Sequence, residues 1–215
     1  MTQFKVLISI ILVFHLYGLP STVLGQTNGD RKQIIVIDPG HGGKDSGAVG
    51  VNGILEKDVV LKIAKQITEL NETTFKNQLD IYLTRYKDTL ISLGDRTKLA
   101  RSLKADLFIS LHCNHSENPN ARGVEVYVSK KQGKYSKKSI LLAYELQSRL
   151  KRNIGFESRG VKFADFQVLR DTVDVCPTAL LEMGFLSNTI EANYLFKKNS
   201  IPIILLDAYF DSLKP

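Results

Sequence analysis

The stretch QIIVIDPGHGG at 33–43 decides how the rest of the chain is read. Its first part is a β-branched apolar run that reaches Asp38, where Pro39-Gly40 break it. A short run of this kind, bounded by turn residues, reads as a buried strand that opens into a loop. A strand that is apolar on both sides needs cover on both faces, and the segments that follow supply it. Residues 55–70 carry Val59, Val60, Ile63, Ala64 and Ile67 at helical spacing, which predicts an amphipathic helix. A second strand is expected at 79–84 (LDIYLT), then a helix at 93–103 with Leu99, Ala100 and Leu103 on one side. An almost wholly apolar third strand follows at 106–112 (DLFISLH). Strict alternation at 123–128 (GVEVYV) predicts another strand, and 139–151 an amphipathic helix. Short strands are expected at 166–169 and 178–182. Asn188 followed by Glu191 makes a capping-box pattern for a further helix, and 201–213 closes the chain as a mostly apolar one. Apolar strands alternating with helices predict an α/β fold, with a mostly parallel twisted sheet and helices on both faces. One domain is expected, over 33–215.

With 215 residues, 43% hydrophobic and 24% charged, the chain has room for one well-buried domain. A net charge of +7 and a pI near 9.3 suit an anionic partner: nucleic acid, a membrane surface or a polyanionic wall. The N-terminus narrows that choice. Lys5 precedes an apolar run at 6–19, Pro20 interrupts it, and Val23-Leu24-Gly25 before Gln26 reads as a cleavage site. Residues 1–25 are therefore read as a signal peptide and 26–32 as a short linker. The apolar core falls short of the about 20 residues a spanning helix needs, so no stable membrane span is expected after cleavage. An uncleaved membrane anchor is the alternative. Export to the periplasm or cell envelope disfavours nucleic acid as a partner and favours an envelope polymer; a monomer is the default. Cys113 and Cys176 lack metal-site spacing and read as small buried residues first, as a disulfide second. The basic stretch SKKQGKYSKK at 129–138 reads as a solvated loop rather than a wall-binding patch. The chain shows no internal repeat.

In sheets of this kind functional groups gather at the carboxyl ends of the strands, where the loops open outward. His41 lies in the turn after the first strand, His112 ends the strand at 106–112, Glu182 ends the strand at 178–182, and Glu56 opens the first helix. Two histidines and a glutamate match the three protein ligands of a catalytic zinc site. Glycines at 40, 42, 43 and 47 allow the loop to bring backbone close to such an ion. A further carboxylate is needed to take a proton from water, and Glu182 is the natural candidate. Each residue also has a plain reading. A lone histidine after a strand is usually a turn or core residue, and a glutamate in a first helical turn commonly just complements the helix dipole. A carboxylate ending an apolar strand is harder to explain so, because burying it unpaired is costly. His115, in a polar loop, reads as a surface residue.

The segments IDPGHGGKDSGAVG (37–50), LEKD (55–58), LTR (83–85), ADLFISLHCN (105–114), RGVEVYV (122–128), VLR (168–170) and ALLEMGFLSN (179–188) together resemble the zinc-dependent N-acetylmuramoyl-L-alanine amidases of the amidase 3 family. The resemblance runs from about residue 33 to the C-terminus, in order and without large gaps. It implies that His41, Glu56 and His112 hold Zn2+, with Glu182 as general acid/base. The implied reaction is hydrolysis of the amide joining N-acetylmuramic acid to L-alanine in peptidoglycan, by attack of a zinc-bound water. Asp38 and Asp45 lie near enough in sequence to orient the imidazoles, with a structural turn role equally open for either. The chain departs from the family at Cys113, where a small residue such as alanine is expected beside His112. Some relatives carry a long insertion, with a helix that covers the site, near the segment 128–139. This chain has no room for one there, so an open site is expected. A non-catalytic wall-binding protein, a peptidase acting within the stem peptide and a membrane-anchored structural protein are the competing readings.

Overall fold

The strand at 33–38 is present as β1 (Gln33–Pro39), and its alternation divides the molecule in two. The computed structural model describes residues 31–197 and 200–212. The segment read as a signal peptide and all but the end of the linker lie outside them. Ile35 and Ile37 face one hydrophobic core; Val36, next door, faces a second, smaller one. The expected helix forms as α1 (Glu56–Thr73), with Val59, Val60, Ile63, Ala64 and Ile67 buried along its stripe. Then come β2 (Leu79–Leu83), α2 (Leu93–Leu103), β3 (Leu107–Asn114) and β4 (Val124–Ser129). Ser92 caps α2 by accepting from the Asp95 backbone N–H. The chain continues through α3 (Ser136–Ile154), β5 (Ser158–Ala164), α4 (Gln167–Thr172) and β6 (Thr178–Phe185). It ends with α5 (Thr189–Phe196) and α6 (Ile201–Ser212).

The strands make one six-stranded sheet in the order β2-β1-β3-β6-β4-β5. β2, β1, β3 and β6 run parallel, β4 is antiparallel to β6, and β5 is parallel to β4. The sheet is thus mostly parallel with a reversed pair at one edge. The larger core joins Ile109, Leu111, Leu181 and Met183 to α1, α3, α5 and α6; the smaller joins Phe108 and Leu180 to α2 and α4. Helices cover both faces, as the apolar strands required.

Two expectations need correction. Residues 166–169 are not a strand: Phe166 is the N-cap of α4, and Val168 and Leu169 are buried on one side of that short helix. The strand of this region lies earlier, as β5, an edge strand whose residues are half-buried or exposed. The capping box at Asn188 is only half made. Asn188 Oδ1 accepts from Ile190 and Glu191, but the Glu191 carboxylate turns away to accept from the backbone of Gly123 and Phe185. No helix among the described residues is long and apolar enough to cross a membrane.

Candidate metal centre

Parallel and antiparallel partners alike place side chains on a common face, so register builds the site. His112 of β3 stands opposite Glu182 of β6, and Glu182 stands opposite Glu125 of β4. This row lies on the face of the smaller core, beyond the point where α2 and α4 cover it, and opens into a groove of 1060 Å³. Leu90, Leu93 and Phe166 wall the groove; the exposed His115 lies at its margin.

His41 reaches the row from the loop after β1. It has a left-handed backbone (φ 58°), an unfavourable conformation for a residue with a Cβ, so its surroundings must hold it there. Two buried arginines do this. Arg96 donates to Asp38 Oδ1 and to the carbonyls of Pro39 and His41, all at 2.7–2.8 Å. Arg85 donates to the carbonyls of Pro39, Gly40 and Lys57, tying the His41 loop to the first turn of α1. Sequence reasoning overlooked Arg96 and quoted Arg85 without a role. The signal available was a pair of arginines in segments that must pack beside an apolar strand end, where an unpaired guanidinium is costly.

Glu56 is buried at the start of α1, which Leu55 begins without a side-chain cap. Its side chain turns inward. Oε2 accepts from the Ala48 N–H at 2.8 Å and Oε1 from the Cys113 N–H at 3.0 Å. The same Oε1 lies 2.9 Å from His112 Nδ1 and 3.1 Å from His41 Nε2. Burial pushes the Glu56 carboxyl up, but the two imidazoles outweigh it and hold the group well below the usual carboxylate range. On the far side of His41, Nδ1 meets Asp45 Oδ2 at 2.9 Å, which fixes the ring's orientation. Burial alone would lower the His41 pKa; Glu56 and Asp45 raise it on balance. Asp38 has no such role. It accepts from Thr84, Ser110 and Arg96, as a buried anchor for the loop.

Two glycines make the approach feasible. A Cβ on Gly40 would lie 2.3 Å from His112 Cε1, and one on Gly47 would lie 2.5 Å from Glu56 Oε2. One ligand atom each from His41, Glu56 and His112 lies within 4.8 Å of the others. Two imidazole nitrogens and one carboxylate oxygen, partly open to the groove, are a donor set that suits zinc with a coordination position left for water. Glu182 Oε2 is buried and has no hydrogen-bond partner within the described protein. Burial pushes the Glu182 pKa up to about 7; His112 and His41 oppose the rise, while Glu56 and Glu125 add to it. A cation held at His41, Glu56 and His112 would draw it down again. Cys113 adds no donor to this set, because its side chain belongs to the core on the opposite face of the sheet from His112. Both cysteines are free and buried.

The fold is α/β, and at the carboxyl ends of its sheet it gathers a donor set of a kind that can hold a metal ion. A family model described as N-acetylmuramoyl-L-alanine amidase matches residues 35–212, and the chain belongs to that family. It is 40% identical over 179 residues to N-acetylmuramoyl-L-alanine amidase LytC of Bacillus subtilis (strain 168), covering 82% of this chain and 33% of that one. It is 40% identical over 174 residues to an endolysin of Bacillus phage SPP1, covering 78% of this chain and 60% of that protein. The chain thus spans about a third of the length of the first relative and three fifths of the second. Among solved structures, N-acetylmuramoyl-L-alanine amidase AmiC2 of Nostoc punctiforme superposes with a TM-score of 0.77 at 32% identity, covering 87% of this chain and all of that one.

Proposed function

We propose that the protein is a zinc-dependent hydrolase that cleaves the amide between N-acetylmuramic acid and L-alanine in peptidoglycan. The observation that carries this reading is the convergence of His41, Glu56 and His112 donor atoms beside the unpartnered carboxylate of Glu182. The family and the activity for which its relatives are named support the choice of bond. His41 Nε2, Glu56 Oε1 and His112 Nδ1 are the proposed ligands. Zinc held there would polarise the scissile carbonyl and lower the pKa of a water. Glu182 accepts the proton of the attacking water and delivers it to the departing alanine nitrogen, a role that its buried, unpartnered Oε2 beside the proposed ligands leaves it free to take. Asp45 keeps the His41 ring oriented. Arg85 and Arg96 hold the loop that carries it.

A substrate reaches the site through the open groove, since the His41 and His112 side chains remain 23% and 20% exposed. The connection from β4 to α3 is short. Activity without a separate activator is the expectation that follows. In this reading residues 1–25 direct export, the protein acts as a monomer in the periplasm or cell envelope, and its positive charge draws it to anionic wall polymer.

The test is digestion of isolated peptidoglycan by the purified protein, zinc-loaded or chelated, with products identified by mass spectrometry. Metal-dependent release of peptides with a free L-alanine amine, beside glycan with intact lactyl groups, is the expected result. Cleavage within the stem peptide would overturn the bond assignment, and no cleavage by folded, zinc-loaded protein would leave a wall-binding role. Glu182→Gln should retain zinc and lower kcat by about 10²–10⁴-fold.

A further inference from the structure

The row that begins at His112 does not stop at Glu182. Glu125, its register partner on β4, is buried, with Tyr127 Oη donating to its Oε2 at 2.6 Å. Both cations of the edge strand converge on its other oxygen: Arg159 Nε donates to Oε1, and Lys162 Nζ lies 3.0 Å from it. Burial pushes Glu125 up, but these three donors hold it below the usual carboxylate range, so it carries one full negative charge at neutral pH.

Two positive groups thus share one carboxylate oxygen. Cations nearby are matched differently: Arg122 has Glu157, Arg170 has Asp165, and Lys131 has Asp174. At Arg159 and Lys162 one unit of positive charge is left over. Both side chains stay about two-fifths exposed, at 39% and 40%. Arg159 is held in place, with its guanidinium 5.1 Å above the Phe185 ring and Nη1 on the Arg122 carbonyl; Nη2 has no partner among the described residues. Lys162 lies over Tyr127, which packs edge-on against Phe166 in the groove wall. The leftover charge is therefore fixed in position, on the same sheet face as His112 and Glu182, one strand beyond Glu125 and two beyond Glu182.

We propose that Arg159 and Lys162 form a subsite for a carboxylate of the substrate, one that a stem peptide presents near the scissile amide. The proposal rests on the amidase reading for its substrate, though the cationic pair stands without it. A fixed guanidinium recognises a planar carboxylate through charge-assisted hydrogen bonds, whereas a carboxamide offers it no net charge.

The experiment compares two muramoyl peptides that differ only in whether a stem-peptide carboxyl is free or is a carboxamide. The zinc-loaded full chain is used, and binding is measured by calorimetry alongside cleavage. The free acid should be preferred by about tenfold or more in kcat/KM, as expected for one charge-assisted contact. Arg159→Gln and Lys162→Gln each leave Glu125 one cation, so both should fold, which melting curves will verify. Each should collapse the acid-to-amide ratio severalfold through KM, while Lys131→Gln, which removes the same charge elsewhere, should keep it. Equal rates on the two substrates, or variants that slow both by the same factor, would overturn the subsite and leave the amidase intact. If neither substrate is cut, the amidase reading fails. Acid-selective binding lost in Arg159→Gln would then still support the subsite, and binding without selectivity would sink it as well.

Discussion

At Gly40 the absent side chain is as necessary as any ligand. A methyl group there would overlap the His112 ring, and the neighbour cannot yield without moving a proposed metal ligand. Gly40→Ala should therefore weaken zinc binding more than it lowers the melting temperature of the metal-free protein, measured by chelator competition and by thermal denaturation. Glu182 tests the electrostatics. Burial raises its pKa from 4.5 to about 7, so the folded metal-free state prefers the neutral carboxyl. Its relative contribution to stability is fully present below about pH 4.5 and is lost as pH rises through 7. Glu182→Gln, which cannot ionise, should thus gain on the wild type between pH 5 and pH 8, by on the order of 1–3 kcal/mol in denaturant unfolding of metal-free protein. Zinc should shrink that gain, because a nearby cation favours the ionised carboxylate.

The elements of the site are held by a clamp that no single segment reveals. Arg96 on α2 joins Asp38, Pro39 and His41, and Arg85 beyond β2 joins the same loop to α1. Arg96→Lys keeps the charge but cannot serve three acceptors in one plane. It should fold, yet bind zinc about 10–100-fold more weakly in chelator competition, as loss of a ligand-orienting contact does. Much of this architecture was legible beforehand. Long apolar runs such as DLFISLH and QIIVID announce strands because burial on both faces leaves nothing polar to confuse the pattern. β5 was missed for the opposite reason: Ser158, Arg159 and Phe163 are exposed, and an edge strand needs no alternation to form. The run at 166–169 was misread because so short an apolar segment fits either period. The three residues whose donor atoms converge were readable as residue types at strand ends and at a helix start. The reversal of β4 was not, since strand direction depends on how the chain crosses the sheet rather than on local pattern.

For the whole molecule, the proposed metal links site to stability. The ligands come from the β1 loop, from α1 and from β3, so an ion bound there favours only the folded chain. Zinc should raise the melting temperature, and each tenfold excess over Kd should add about 1.4 kcal/mol, removable by chelation. Reducing agent should leave the melting temperature unchanged, since Cys113 and Cys176 are unpaired and sit in different cores.

The end of the sheet carries a last consequence. Among the described residues β5 has no strand on its outer side, so its backbone presents a ready template for a strand from another molecule. Arg159 and Lys162 set like charge along that template, and a second copy brought edge to edge would meet the same charge. The two cations beside Glu125 thus oppose the pairing of one copy of this chain with another along that edge.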